Sequence, residues 1–175
     1  HIRHTFRPDR PGTRVRHDAR SAAIAAVTSK SGVALIKVRS HPVALPYGFL
    51  ARVFGVLGRH KLEVDLVATS HSSTAFTIDD RSDLTEVEAE LSTFSDVEVI
   101  RRLVTLTVVG RGLMARPGVD GQIFTVVGDT PVHLVSQASD VSLSVVVDAD
   151  RAYGLIRKLH ADLIGPAEDT SRRSA

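Results

Sequence analysis

The chain runs through one order of elements twice. Residues 51–70, "ARVFGVLGRHKLEVDLVATS", are echoed by residues 121–139, "GQIFTVVGDTPVHLVSQAS". Each stretch holds a helical pattern with a Phe and a pair of Val, then a short turn, then a strand ending in small hydroxyl residues. The echo returns after about 70 residues, and self-similarity at a fixed period marks a duplicated structural unit. Each copy reads strand, loop, helix, strand, strand, helix, with an extra strand before each that is easy to lose. A βαββαβ unit folds as a four-stranded antiparallel sheet with two helices on one face, a ferredoxin-like α+β sandwich. Two copies in tandem, side by side, extend the sheet and cover some of its edges.

The elements follow from local pattern. "SAAIAAVTS" and "GVALIKVRS" read as two strands separated by a turn at "KSG". In the second, Val33, Leu35 and Lys37 point one way and Ala34, Ile36 and Val38 the other. A loop with Pro42 and Pro46 leads to a helix over Gly48–Arg59, where Phe49, Leu50, Val53, Phe54, Val56 and Leu57 build one broad apolar face. "LEVDLVAT" and "STAFTID" are strands, and "DLTEVEAELST" is a helix whose Thr85 and Glu88 fit a capping box. "VEVIRR" reads as a short edge-like strand. The second copy supplies "LVTLTVVG", the loop "RGLMARPG", a helix over "VDGQIFTVVGDT", the strands "VHLVSQAS" and "VSLSVVVDA", and a last helix in "ADRAYGLIRKLHADLI".

Composition sets the limits on what this fold does. With 43% hydrophobic and 24% charged residues the 175-residue chain can bury a core, and no apolar run approaches the roughly 18 residues of a membrane span. A soluble, cytoplasmic protein is expected. The absence of cysteine excludes disulfide frameworks and thiolate metal sites and fits a reducing compartment. Six arginines crowd the first twenty residues, but they alternate with Pro, Gly and Asp and have no aromatic ladder, which argues against nucleic acid. The eight histidines show no metal-ligand spacing. A chain that opens on His1 is expected to be a piece of something longer, and "GPAEDTSRRSA" reads as a tail or linker over 165–175.

The residues between Tyr47 and Ser70 carry a resemblance to a known family. G-F-L-A-x-V-F at Gly48–Phe54, R-H at Arg59–His60 and V-D-L-x-x-T-S at Val64–Ser70 resemble the first regulatory ACT domain of aspartate kinases, above all the lysine-sensitive kind. "RHTFRPDRPGT" resembles the end of that family's kinase domain, with His4 where Asn is usual, and "GVALIKVRS" its first ACT strand. The similarity runs from Ile2 to Leu163. It implies a kinase-domain remnant over 1–20, a first, effector-binding ACT domain over 31–101, and a second, nested one made of 22–29 plus 102–164. It also implies pairing into a homodimer through ACT domains, which suits a sheet with exposed edges and one bare face. The parent enzyme would phosphorylate L-aspartate with ATP and Mg in lysine, threonine and methionine biosynthesis. This chain has no Gly-rich phosphate loop followed by Lys, so it is expected to need no cofactor and to be inactive alone.

An effector site can be read from physical demands. A free amino acid needs donors for its carboxylate and acceptors for its ammonium. A helix start offers unpaired N–H groups and a positive dipole end, so Gly48, Phe49 and Leu50 are the expected carboxylate site. Glu63 and Asp65 flank Val64 on one side of the following strand and supply acceptors, two for a ligand with two ammonium groups. The resemblance adds Val43, Val64, Thr69 and Ser70 to the effector-binding residues, and makes L-lysine the expected allosteric ligand. The sequence departs from the lysine-sensitive pattern at Val43–Pro46, where Met, His and Ser are usual, at Glu63, usually Ser, and at His71-Ser72-Ser73, usually Glu-Val-Ser. Gln137-Ala138-Ser139 and Ser142 depart similarly in the second copy, which makes effector binding there doubtful. The competing function is a stand-alone ferredoxin-like binding or assembly module that touches nucleic acid through its basic arm.

Overall fold

The computed structural model describes residues 5–6, 24–41, 47–113 and 115–164. The arginine-rich arm, most of the expected kinase remnant, Val43 and the tail over 165–175 lie outside the described residues. Ten elements follow one another: β1 (Ile24–Ser40), α1 (Phe49–Arg59), β2 (Val67–Thr69), β3 (Ser73–Asp79), α2 (Thr85–Ser92), β4 (Ser95–Gly110), α3 (Val119–Val127), β5 (Val132–Ser139), β6 (Ser142–Asp148) and α4 (Ala149–Leu163). They form one six-stranded antiparallel sheet in the order β2-β3-β1-β4-β6-β5.

The strand expected to break at "KSG" does not break. β1 is continuous, and Gly32, at φ 72°, sits in a register shift between Ser31 and Val33. Likewise "VEVIRR" and "LVTLTVVG" merge into β4, with Arg102 left-handed at φ 58°. An extra residue on one strand of an antiparallel pair makes a bulge that bends the ladder without ending it. β1 and β4 therefore run through both copies. The first-copy segment of β1 pairs with β3, which carries β2, and the second-copy segment of β4 pairs with β6, which carries β5.

Three apolar clusters show how the copies join. Ala34, Ile36, Val38, Phe76 and Ile78 pack under α1 and α2, while Val104, Leu106, Val108, Leu143 and Val145 pack under α3 and α4. The third cluster lies on the opposite face: Val33, Leu35, Leu103, Leu134 and Val146, with Leu66 and Ala68 against them. Leu66 and Leu134 belong to opposite margins of the sheet, which in a flat six-stranded sheet would stand about 24 Å apart. Their place in one cluster means that the sheet folds over at the bulges and the helix-free faces of the two copies meet. That face is therefore not wholly bare.

Asp80 fastens the fold. Its N–H donates to the Gly32 carbonyl at 2.8 Å. Its carboxylate accepts the Arg101 guanidinium at 3.0 Å and the Arg102 N–H at 3.2 Å. One residue, through its N–H and its carboxylate, thus ties the end of β3 to both bulges. A second correction concerns α2, where Thr85 is not the cap. Asp83 accepts the Thr85 N–H at 3.1 Å and its hydroxyl at 2.8 Å, and these bonds, the N–H first, hold the Asp83 carboxyl below its ordinary range.

Candidate effector site at the first unit

Gly48 caps α1 at φ 80°, ψ 5°, a conformation that glycine adopts without strain. No side chain caps the helix and no acidic residue stands in its first turn, so the leading N–H groups keep their positive end free of local anions. A Cβ on Gly48 would meet nothing within 4 Å, so the dihedral angle and not close packing is what selects glycine. Phe49 is buried and stands edge-on to Phe94, with ring centroids 6.4 Å apart, and the Arg52 guanidinium covers Phe94 at 4.0 Å. Leu50 faces outward.

The strand after α1 is shorter than its sequence suggests. Only Val67–Thr69 pairs regularly, because a bulge interrupts the alternation just before it. Asp65 N–H donates to the Thr77 carbonyl at 3.0 Å, and Thr77 N–H donates to the Leu66 carbonyl at 3.0 Å, so two residues oppose one. The Leu66 N–H left over by this arrangement goes to the Thr77 hydroxyl at 3.0 Å, which gives a buried polar side chain a structural reason. Glu63 and Asp65 both face solvent while Leu62 and Val64 pack inward, as the alternation up to Asp65 requires.

The structure brings some of the expected residues together and separates others. α1 runs back along the sheet, opposite in direction to β1 and β2. Its start lies at the end where Ser40 N–H meets the Ser72 carbonyl at 2.8 Å, the end that also holds Thr69 and Ser70. Glu63 and Asp65 begin the return strand at the other end, about 16 Å of helix away. Gly48 and Asp65 thus do not share a cleft within one chain. Thr69 is exposed beside Ser70, whose hydroxyl pairs with that of Ser73 at 2.6 Å in the β2–β3 turn. Ser70 and Ser73 also border a groove of about 420 Å³ on the helix-free face, whose lining runs across Lys37 and Arg39 of β1 to Asp96 and Glu98 of β4.

Asp65 carries a partner that sequence reading missed. Its carboxylate takes the Lys30 ammonium in an ion pair, with the two side chains 42% and 54% exposed. Lys30 lies between the two assigned stretches of β1 and pairs with Thr105 of the second copy, so the pair bridges the fold-over. Nothing in the sequence marks this partner, because 35 residues separate the two. Other side chains serve the frame. His60 lies with Nε2 2.9 Å from Glu90, which also receives Arg59; these contacts, Arg59 first, hold the Glu90 carboxyl below the usual range.

The second copy repeats the scaffold but puts an imidazole where the first has a carboxylate. Gly118 caps α3 at φ 84°, ψ −7°, and the "PG" before "VDGQIF" was the available signal. The residue before the shared Leu-Val of the return strand is His133 where the first copy has Asp65, again at a register shift. His133 Nε2 lies 3.0 Å from the Asp148 carboxylate. Among the described residues, no group of three or more His, Asp or Glu could hold a metal ion, and no helix is long and apolar enough to cross a membrane.

Comparison with known proteins agrees with this architecture. The family described as ACT domain matches residues 106–163. The aspartokinase of Saccharomyces cerevisiae is 28% identical over 165 residues, which are 90% of this chain and 31% of the yeast protein. The chain spans under a third of the curated relatives it matches. A structure assigned as a C-terminal regulatory domain of aspartate kinase from Porphyromonas gingivalis superposes with TM-score 0.71 and 29% identity, covering 79% of this chain and 96% of that one. Escherichia coli aspartokinase III in complex with lysine and aspartate superposes with TM-score 0.73 and 28% identity, covering 83% of this chain and 34% of that one.

Proposed function

We propose that this chain, whose fold is that of an aspartokinase regulatory region with ACT units, is the amino-acid-sensing part of an aspartate kinase. The units are 31–101 and 22–29 plus 102–164, and the first holds the effector. The parent enzyme would transfer phosphate from ATP to L-aspartate in the cytoplasm, with ATP and Mg bound in a catalytic domain outside this chain. The carrying observation is an α1 start with no side-chain cap beside one end of the terminal strand β2 and a carboxylate, Asp65, at the other. L-lysine is the effector this charge pattern suits, since Glu63 and Asp65 offer two carboxylates to two ammonium groups. The likeness to an aspartokinase that holds lysine supports this choice. Calorimetry with lysine and threonine tests it. Lysine should bind the tighter, and Glu63→Gln should weaken lysine about tenfold, close to 1.4 kcal/mol, while leaving threonine unchanged. Threonine binding tighter than lysine would overturn the charge argument.

A homodimer follows from the same geometry. β2 is a terminal strand, and beside it Leu50, Phe54 and Val67 are partly exposed, with Phe54 against Phe76 across from Val67. Antiparallel pairing of β2 with the β2 of a second copy lays the start of one strand beside the end of the other. Asp65 of one copy would then approach Thr69, Ser70 and the α1 start of its neighbour, completing a site that neither copy completes alone. Light scattering should give twice the chain mass. A monomer at micromolar concentration, with and without lysine, would remove both the dimer and the shared site.

A further inference from the structure

We infer that Lys30 is a built-in competitor for the effector's ammonium, and that effector binding at Asp65 releases a tie between the two ACT units. The inference rests on the reading of Asp65 as the effector's carboxylate contact. Four observations carry it. Asp65 sits at a bulge whose backbone is fixed by Thr77 through both N–H···O and hydroxyl bonds, so its carboxylate projects from a firm position. That carboxylate is engaged by Lys30, a primary ammonium on a long stem, which is the same chemical group that an amino acid would present. The tie crosses the fold-over, from the stretch of β1 that pairs with Thr105 of the second copy to the first-copy return strand. Glu63, by contrast, is exposed and shows no ion pair among the described residues, so it does not need to be vacated.

The two ties between the copies differ in kind. Asp80 is held by two backbone bonds and a guanidinium and does not exchange with a small ligand. Lys30–Asp65 is a single pair with both partners about half exposed, and such pairs contribute only about 0.2–1 kcal/mol. An ammonium arriving with further contacts of its own can displace Lys30 at that cost. A bound effector therefore shifts the population of copies held together by Lys30, and by linkage Lys30 lowers the apparent affinity for the effector. A pair worth about 1 kcal/mol corresponds to roughly a fivefold penalty.

Calorimetry with L-lysine on the intact chain and four variants tests this. Lys30→Met keeps the stem and removes the charge, and should bind lysine about fivefold more tightly. Lys30→Arg keeps the competitor and should stay near the unaltered affinity. Lys30→Met combined with Asp65→Ala should show no gain over Asp65→Ala alone. An NMR measurement on the Lys30 side-chain ammonium gives an independent reading: its resonance should move to the position it has in Asp65→Ala when lysine saturates the protein. Unchanged affinity in Lys30→Met, while Asp65→Ala still loses binding, overturns the competitor and leaves the effector site standing. Full lysine binding by Asp65→Ala, or no amino-acid binding by any of these proteins, overturns the site reading and the competitor with it.

Discussion

Leu35→Ala should cost about 2–5 kcal/mol of unfolding free energy and loosen both copies together. Leu35 is fully buried and lies in the cluster with Val33, Leu103, Leu134 and Val146, where the helix-free faces meet. Truncating a buried leucine removes its transfer free energy and leaves a cavity that a close-packed interior fills only in part. The loss is a large share of the 5–15 kcal/mol that holds an ordinary domain. What sets this position apart from Leu57 or Leu159 is connectivity. Leu57 belongs to the first-copy core and Leu159 to the second, whereas β1 threads both. Hydrogen exchange followed segment by segment should therefore rise in β3 and β6 alike for Leu35→Ala. Leu57→Ala and Leu159→Ala should concentrate the rise in β3 and β6 respectively. Exposure confined to β3 in Leu35→Ala would mean that the shared cluster does not couple the copies.

The duplication was legible because helix and strand periods differ and both recur in the same order. The alternation of Val33 to Val38 separated Ala34, Ile36 and Val38 from Val33 and Leu35, and the structure puts the first set under helices and the second on the opposite face. The fusion of strands was not legible. "KSG" suits a turn and a bulge equally, since both use glycine at positive φ, and what decides between them is pairing with Val104 and Leu103 far along the chain. Arg102 carries no residue-type signal at all for its left-handed backbone. At α2, Asp83 and Thr85 are both good capping residues, and only the geometry shows that Asp83 accepts from Thr85.

The site was partly legible for a related reason. The start of α1 and the outward pair Glu63 and Asp65 are local features, and the structure keeps them. Their mutual placement is not local. It depends on the direction in which the helix runs back and on a bulge that Thr77, on another strand, imposes by taking Asp65 N–H and answering Leu66 N–H. Lys30 lies beyond any short-range pattern for the same reason.

Asp65→Ala should weaken amino-acid binding by one to two decades while leaving the fold in place. A charge-assisted hydrogen bond between an ammonium and a carboxylate contributes roughly 1.5–3 kcal/mol, and losing it from a site with few other charges removes about that much affinity. The cost to stability is much smaller. Asp65 is 42% exposed, and the bonds that fix its bulge are made by backbone groups that alanine retains. The Lys30 ammonium it abandons is 54% exposed and is solvated in its place, so the unfolding free energy should fall by no more than about 1 kcal/mol. Calorimetry and thermal unfolding on the same sample separate the two effects. A large drop in melting temperature together with lost binding would make Asp65 a structural residue. A titration that overlays the unaltered protein would make it only the surface partner of Lys30, and the ammonium contact would have to be sought at Glu63.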